Sequence, residues 1–416
     1  EIDSFNKSNN SFIIIKTSMS LGFGRHYLAI PGPSVMPDRV LQAMHQAAPN
    51  IYEGALHEMV DGIIPDLKKV AKTSGEVAIY IANGHGTWEA ALTNTLSRGD
   101  RVLALATGRF VVFWAIMAER LGIEVDLIDF GKSSSIDLNQ VEEKLNADQE
   151  KSYQAVLVVQ TDTASSVRND IEALSECIRS TGHPALLMVD CMASLACDRF
   201  DMDSWGVDLM VAGSQKGLMT PPGLGFMYFN HRVIEARKRA DLVTPYWDFL
   251  PRINPEVFYE YFYGTAPTHH LFGLREALNM IFEEGLDQIW ARHAKLSQAI
   301  WSAFESWGEG SSIRLNIKEP QQRSHSVTSA SMDPPHATEL RRWTEHKAGV
   351  TLGIGLGMAD PSDPAYHGFF RVAHMGHVNA HMTLGMLSVI DAGLKALNIP
   401  HGVGALEAAS RIVSSA

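Results

Sequence analysis

Between residues 77 and 229, short apolar runs alternate with stretches of helical period, and that alternation leaves few folds open. The runs are 77–82, 101–106, 125–130, 155–159, 185–189 and 209–212. A strand, a helix and a further strand in series pair in parallel through a crossover. The pattern therefore predicts an α/β fold, a mainly parallel sheet flanked by helices. Most of the runs lack polar alternation, as strands covered on both faces do. Further helix patterns cover 38–47, 61–72, 137–146 and 271–284. From about Arg292 the texture changes to a helix bearing Trp301 and Trp307, then strands split by polar loops. That predicts a smaller C-terminal α+β domain over 291–416, after a large domain over 25–290 and a tail over 1–24. Residues 1–18, ahead of Met19, are read as a tag, a leader or upstream readthrough.

With 416 residues the chain is ample for two domains. A net charge of −12 without any basic block argues against a nucleic-acid partner. No apolar stretch approaches the roughly 20 residues of a membrane helix. Cys177, Cys191 and Cys197 form neither a CxxC pair nor a paired framework, which favours a reducing, cytoplasmic setting.

Chemistry concentrates at two of the strand ends. The run 185–189 closes on Asp190, and the run 209–212 leads through Gly213-Ser214-Gln215 to Lys216, in a segment dense with Gly and Pro. Ligands of open α/β sheets bind outside the carboxyl ends of the strands. A buried lysine has a lowered pKa and becomes an amine nucleophile able to form a Schiff base. A carboxylate and a lysine on successive strand ends suit pyridoxal phosphate: the amine holds its aldehyde, and the acid keeps the pyridine nitrogen protonated. Each residue alone has a plainer reading, a cap or a surface turn; the pair carries the inference.

Asp190-Cys-Met-Ala-Ser194-Leu and Gly213-Ser-Gln-Lys216-Gly-Leu-Met-Thr-Pro-Pro-Gly223-Leu-Gly resemble the class V aminotransferases of pyridoxal-phosphate fold type I. The likeness is greatest to the alanine–glyoxylate and serine–glyoxylate enzymes, and runs from about Pro31 to about Gly385. It implies pyridoxal 5'-phosphate as cofactor, a homodimer with active sites at the interface, and small amino and 2-oxo acids as substrates. It implies no metal, although His374, His377 and His381 form an H-x2-H-x3-H run. Residue by residue, it implies that Asn83, Gly84 and His85 cradle the phosphate with Gln215. Phe110 would stack on the cofactor, Thr163 would contact its phenolic oxygen, and Thr265 would reach the partner subunit's phosphate. Gly32 would line the substrate pocket, and Arg371 would clamp the substrate carboxylate; a buried arginine is seldom there for stability.

Departures from the family pattern are visible. Asn83 and His85 stand where Ser or Thr is commoner, Asp162 replaces a Glu, Ser166 a Gly, and Phe262 a Tyr. Transfer of an amino group from a serine- or alanine-type donor to glyoxylate or pyruvate is the expected activity. Pyridoxamine–pyruvate aminotransferase, a lyase of the same cofactor class, and a non-catalytic scaffold stay open as alternatives. A dinucleotide-binding protein ranks last, because no G-x-G-x-x-G follows a strand.

Overall fold

The structure is a computed structural model that describes residues 20–415; residues 1–18, read above as tag or leader, lie outside the described residues. Two sheets organise it. The strands are β1 (Tyr27–Ala29), β2 (Glu76–Ala82), β3 (Arg101–Ala106), β4 (Glu124–Asp129), β5 (Tyr153–Val159) and β6 (Leu186–Asp190). They continue as β7 (Leu209–Gly213), β8 (Gly223–Phe229), β9 (Arg314–Leu315), β10 (Val327–Ser331), β11 (Val350–Ile354) and β12 (Phe369–Ala373).

The larger sheet has seven strands in the order β2-β8-β7-β6-β5-β3-β4. Neighbours from β7 to β4 pair in parallel, and β8 lies antiparallel between β2 and β7. The expected mainly parallel α/β architecture is therefore present, with one reversed strand supplied by the hairpin-like return after Lys216. Period-2 geometry splits each strand between two cores. Leu103, Leu105, Val156, Val158, Leu187 and Val189 face one helical layer, led by the helices Ala55–Ala71, Ile171–Ser180 and Thr268–Glu284. Val102, Ala104, Ala155, Leu157, Leu186 and Met188 face the other, with Trp88 and Trp114 from the helices Gly84–Thr95 and Phe110–Arg120. Coverage of both faces is why these strands are continuously apolar.

One helix begins earlier than the sequence pattern suggests, and another begins inside a Gly-rich turn. Ala55–Ala71 starts six residues before Asp61, because Leu56 and Val60 extend the buried stripe that Ile63 and Leu67 continue. Gly84–Thr95 absorbs the Gly-rich turn, because Asn83 caps it: its side chain accepts from the amides of His85 and Gly86.

A long helix, Leu286–Gly308, leads to the second sheet, ordered β1-β11-β12-β10-β9. Here β1 pairs in parallel with β11 and the remaining pairs are antiparallel. Phe304, Trp307, Leu340, Leu352, Phe370, Val372 and Leu387 form its core. Because β1 belongs to this sheet, the segment just after it passes from the second sheet to the catalytic end of the first. In the first sheet, strand order reverses between β3 and β5, which opens a crevice at their carboxyl ends.

Phe226 in β8 is fully buried between two antiparallel neighbours. Phe226→Ala is expected to lower the unfolding free energy by about 3–5 kcal/mol, read by denaturant titration of the purified protein.

Candidate active site

Five strand ends meet at one cavity of about 200 Å³. The loop after β2 brings Asn83, Gly84 and His85; the turn after β3 brings Phe110; the turn after β5 brings Thr161 and Thr163; β6 ends in Asp190; β7 leads to Gln215 and Lys216. Eight residues singled out in the sequence thus share one wall-to-wall space. Gly32 and Arg371 adjoin it through neighbours. Thr265 does not line it: it is exposed, on the segment that follows Tyr263.

Lys216 is enclosed by the chain that crosses from the second sheet. Its Nζ donates to the carbonyl of Pro31. Ser34 fixes the backbone beneath it, Oγ donating to the Lys216 carbonyl at 2.7 Å and the amide to the Gln215 carbonyl at 2.9 Å. Gly32 must be glycine twice over: its φ is +98°, and a Cβ there would fall 2.4 Å from the Lys216 Nζ. Burial, with the Arg371 charge second, lowers the Lys216 amine to about 8.

Asp190 is 2% exposed. Its Oδ2 accepts from Trp88 Nε1 at 2.8 Å and its Oδ1 from the Met192 amide at 2.6 Å. Burial raises its pKa to about 6, against the pull of those hydrogen bonds. Each carboxylate oxygen keeps a lone pair for one more donor. Trp88 was not singled out in the sequence. A tryptophan one turn into a helix reads as core, and nothing local pairs it with an acid 102 residues away.

Asp162, noted in the sequence only as a departure, ties the wall together. Its carboxylate accepts from the amides of Phe110 (2.9 Å), Ala164 (2.8 Å) and Ser165 (3.1 Å). It thereby serves the start of the helix Phe110–Arg120, which has no side-chain cap of its own. Gly108 leaves room for it: a Cβ there would lie 2.3 Å from the Asp162 carboxyl carbon. Burial raises the Asp162 pKa. Ser166 occupies the left-handed region at φ +63°, which accounts for Gly being usual there, and its Oγ accepts from the Ser329 amide.

Arg371, on β12, reaches between the sheets. Nε donates to Ile354 O at 2.6 Å and Nη1 to Thr163 O at 2.7 Å. Burial lowers its pKa to about 10, and it has no ion pair among the described residues. His374 is buried in hydrogen bonds to Thr328 and the His325 carbonyl, apart from the cavity. His85 lines the cavity and is shifted down by burial.

The family model for class-V aminotransferases matches residues 26–379. The chain belongs to the class-V aminotransferases. The serine–glyoxylate aminotransferase of Arabidopsis thaliana is 35% identical, aligned over 94% of this aminotransferase and 95% of that protein. The L-aspartate–glyoxylate aminotransferase of Paracoccus denitrificans is 31% identical, over 92% and 94%. Among solved structures, the alanine–glyoxylate aminotransferase of a Nostoc species superposes with a TM-score of 0.80 at 26% identity, covering 91% of this chain and 97% of that one.

The cofactor of this class-V aminotransferase is pyridoxal 5'-phosphate, and the cavity fits it. Gln215 Oε1 is buried without a hydrogen-bond partner among the described residues, and Asp190 retains acceptor capacity on the same cavity as the Lys216 amine. At the turn after β2 the Asn83 side chain takes the His85 and Gly86 amides. No described helix is long and apolar enough to cross a membrane.

Trp88→Phe removes one of the two hydrogen bonds that favour ionised Asp190. The pH at which the bound cofactor's absorbance titrates is expected to shift, with the fold unchanged by circular dichroism. Gly32→Ala is expected to weaken cofactor retention about tenfold or more, measured by dialysis and absorbance, because the lysine must move.

Proposed function

We propose that this aminotransferase moves the amino group of a small serine- or alanine-type amino acid to a small 2-oxo acid, glyoxylate or pyruvate, in two ping-pong half-reactions. The observation that carries this reading is the placement of Lys216 and Asp190 on one enclosed cavity, each shifted by burial toward its neutral form. Relatives named for glyoxylate as acceptor support the choice of substrates.

The residues divide the work by position. Lys216 holds the cofactor through its amine. Lys216 would also be the base that takes the proton from the donor Cα. Asp190 keeps a proton on the pyridine nitrogen. Phe110, Thr163, Gln215, Asn83, Gly84 and His85 would hold the cofactor, Phe110 against its ring, Thr163 at its phenolic oxygen and the others at its phosphate. Bound pyridoxal phosphate supplies an electron sink for the carbanion that proton loss creates. Arg371 gives up backbone carbonyls for the bidentate hold of the substrate carboxylate, beside Gly32.

A homodimer completes the site in this reading. The cavity of about 200 Å³ is small against the roughly 300–1,000 Å³ of small-molecule sites, so one chain encloses only part of what must bind. Thr265 is exposed beside Tyr263, which is 41% exposed at φ +51°, and both are free to reach a partner subunit's phosphate. Phe262 is fully buried, so the family's tyrosine role passes to Tyr263. Three unpaired cysteines support a cytoplasmic location.

Lys216→Ala is expected to abolish turnover and the cofactor's visible absorbance band. Only the unprotonated amine reacts, so the rate at which cofactor-free enzyme takes up pyridoxal phosphate should rise with pH and level off above about 8. An inflection near the ordinary lysine value of about 10.4 would sink the claim of a desolvated amine. Arg371→Leu should reduce kcat/KM for donor and acceptor alike by about 10- to 100-fold, as for loss of hydrogen bonds to a charged group.

A further inference from the structure

A buried cation without an anion lies at the edge of the larger sheet. Arg252, on the short helix Leu250–Ile253, is 1% exposed and has no ion pair among the described residues. A buried arginine is seldom there for stability alone. Its donors go to backbone instead. Nη1 donates to Ile79 O at 2.9 Å and to Tyr261 O at 3.1 Å, and Nη2 to Tyr246 O at 2.6 Å. The guanidinium also lies over the Tyr80 and Tyr246 rings, 4.4 and 5.2 Å from their centroids, where the ring faces attract its charge.

Those three carbonyls belong to two places. β2 is an edge strand, paired only with β8, so carbonyls on its open side need donors from elsewhere. Arg252 serves Ile79, and the Tyr246 hydroxyl serves Ile81 at 3.1 Å. Directly beyond β2 the chain turns through Asn83 into the cavity. The other two carbonyls bracket the segment from Tyr246 to Tyr261 and draw both its ends to one guanidinium. After Tyr261 come buried Phe262, then exposed Tyr263 at φ +51° and exposed Thr265. The Tyr246 ring meets that of Tyr263 edge-on at 6.3 Å. A single-headed donor suffices to plug one edge carbonyl. A planar fork that takes three fixes where the stretch from Tyr263 to Thr265 leaves the surface.

We propose that Arg252 is a positioning residue for the cofactor site of the partner subunit: it aims Tyr263 and Thr265 at that subunit's phosphate from a base anchored on β2 of its own chain. This rests on the homodimer reading and adds to it a residue that touches neither cofactor. Loss of Arg252 therefore loosens pyridoxal phosphate in trans. The site on the same chain is spared, because β2 keeps its ladder with β8 and the Asn83 side chain caps its own turn.

Full-length dimers that pair two differently tagged chains give the test. The first dimer carries Arg252→Gln on one chain and Lys216→Ala on the other. The second carries both substitutions on one chain, beside an unaltered chain. Each holds the same two substitutions and one intact Lys216, so a general loss of stability weakens both equally. Release of pyridoxal phosphate on dialysis is followed by the absorbance that only a site with Lys216 gives. The second dimer is expected to lose cofactor about 10-fold faster or more, as for loss of hydrogen bonds to a charged group. The first is expected to match a dimer whose sole change is Lys216→Ala on one chain. Arg252→Lys keeps the charge near the rings but lacks the fork; it is expected to give the same order with a smaller ratio, and it replaces the Gln variant if that chain does not fold. Faster release from the first dimer would put the effect in cis, and equal release would make Arg252 a plug for the sheet edge; either overturns the proposal. A wild-type chain that sediments as a monomer with its cofactor bound would remove the homodimer reading itself, and the proposal with it.

Discussion

Desolvation of one amine and one carboxylate at a shared cavity is the constraint on which the rest of the molecule depends. In water their pKa values stand about six units apart; burial brings Lys216 down to about 8 and Asp190 up to about 6. Neighbours then decide how far each goes. Arg371 pushes the lysine lower, whereas Trp88 and the Met192 amide hold the carboxylate ionised. At neutral pH roughly a tenth of Lys216 is unprotonated, against well under a thousandth for a solvated lysine, while Asp190 remains mostly charged. A nucleophile and a fixed anion coexist within one small cavity.

Holding that pair requires close approaches that ordinary side chains forbid. Gly32 lets the backbone press against the lysine, and Gly108 makes room for the Asp162 carboxylate. Asp162 then anchors the amides of Phe110, Ala164 and Ser165, so the Phe110 turn and the loop beside Thr163 are tied to one carboxylate. Its buried charge is compensated by those amides and by the nearby Arg371. The wall is rigid because its polar groups are satisfied inside it.

The two sheets are coupled through the same place. Arg371 hangs from β12 of the second sheet but donates to Thr163 of the first. The segment after β1 makes a second such link, from the second sheet to the Lys216 and Gln215 carbonyls. A carboxylate that draws Arg371 from its carbonyls therefore disturbs the same junction that positions the lysine. Arg371 and Lys216 are thus held by contacts that meet at one junction between the sheets.

Much of this was legible in the chain. Continuous apolar runs told that the strands were covered on both faces, and the segments after them carry Thr163, Asp190 and Lys216 to one cavity, because strand period and strand-end placement are local rules. The role of Trp88 was not legible, nor that of Asp162, nor the carbonyl partners of Arg371, nor the membership of β1 in the second sheet. The links Trp88–Asp190, Phe110–Asp162, Thr163–Arg371 and β1–β11 join residues from 52 to 323 positions apart. Local sequence sets which elements form and which ends carry reactive groups. Only tertiary packing decides which buried polar atoms meet, since a hydrogen bond is fixed by distance in space and leaves no period in the chain.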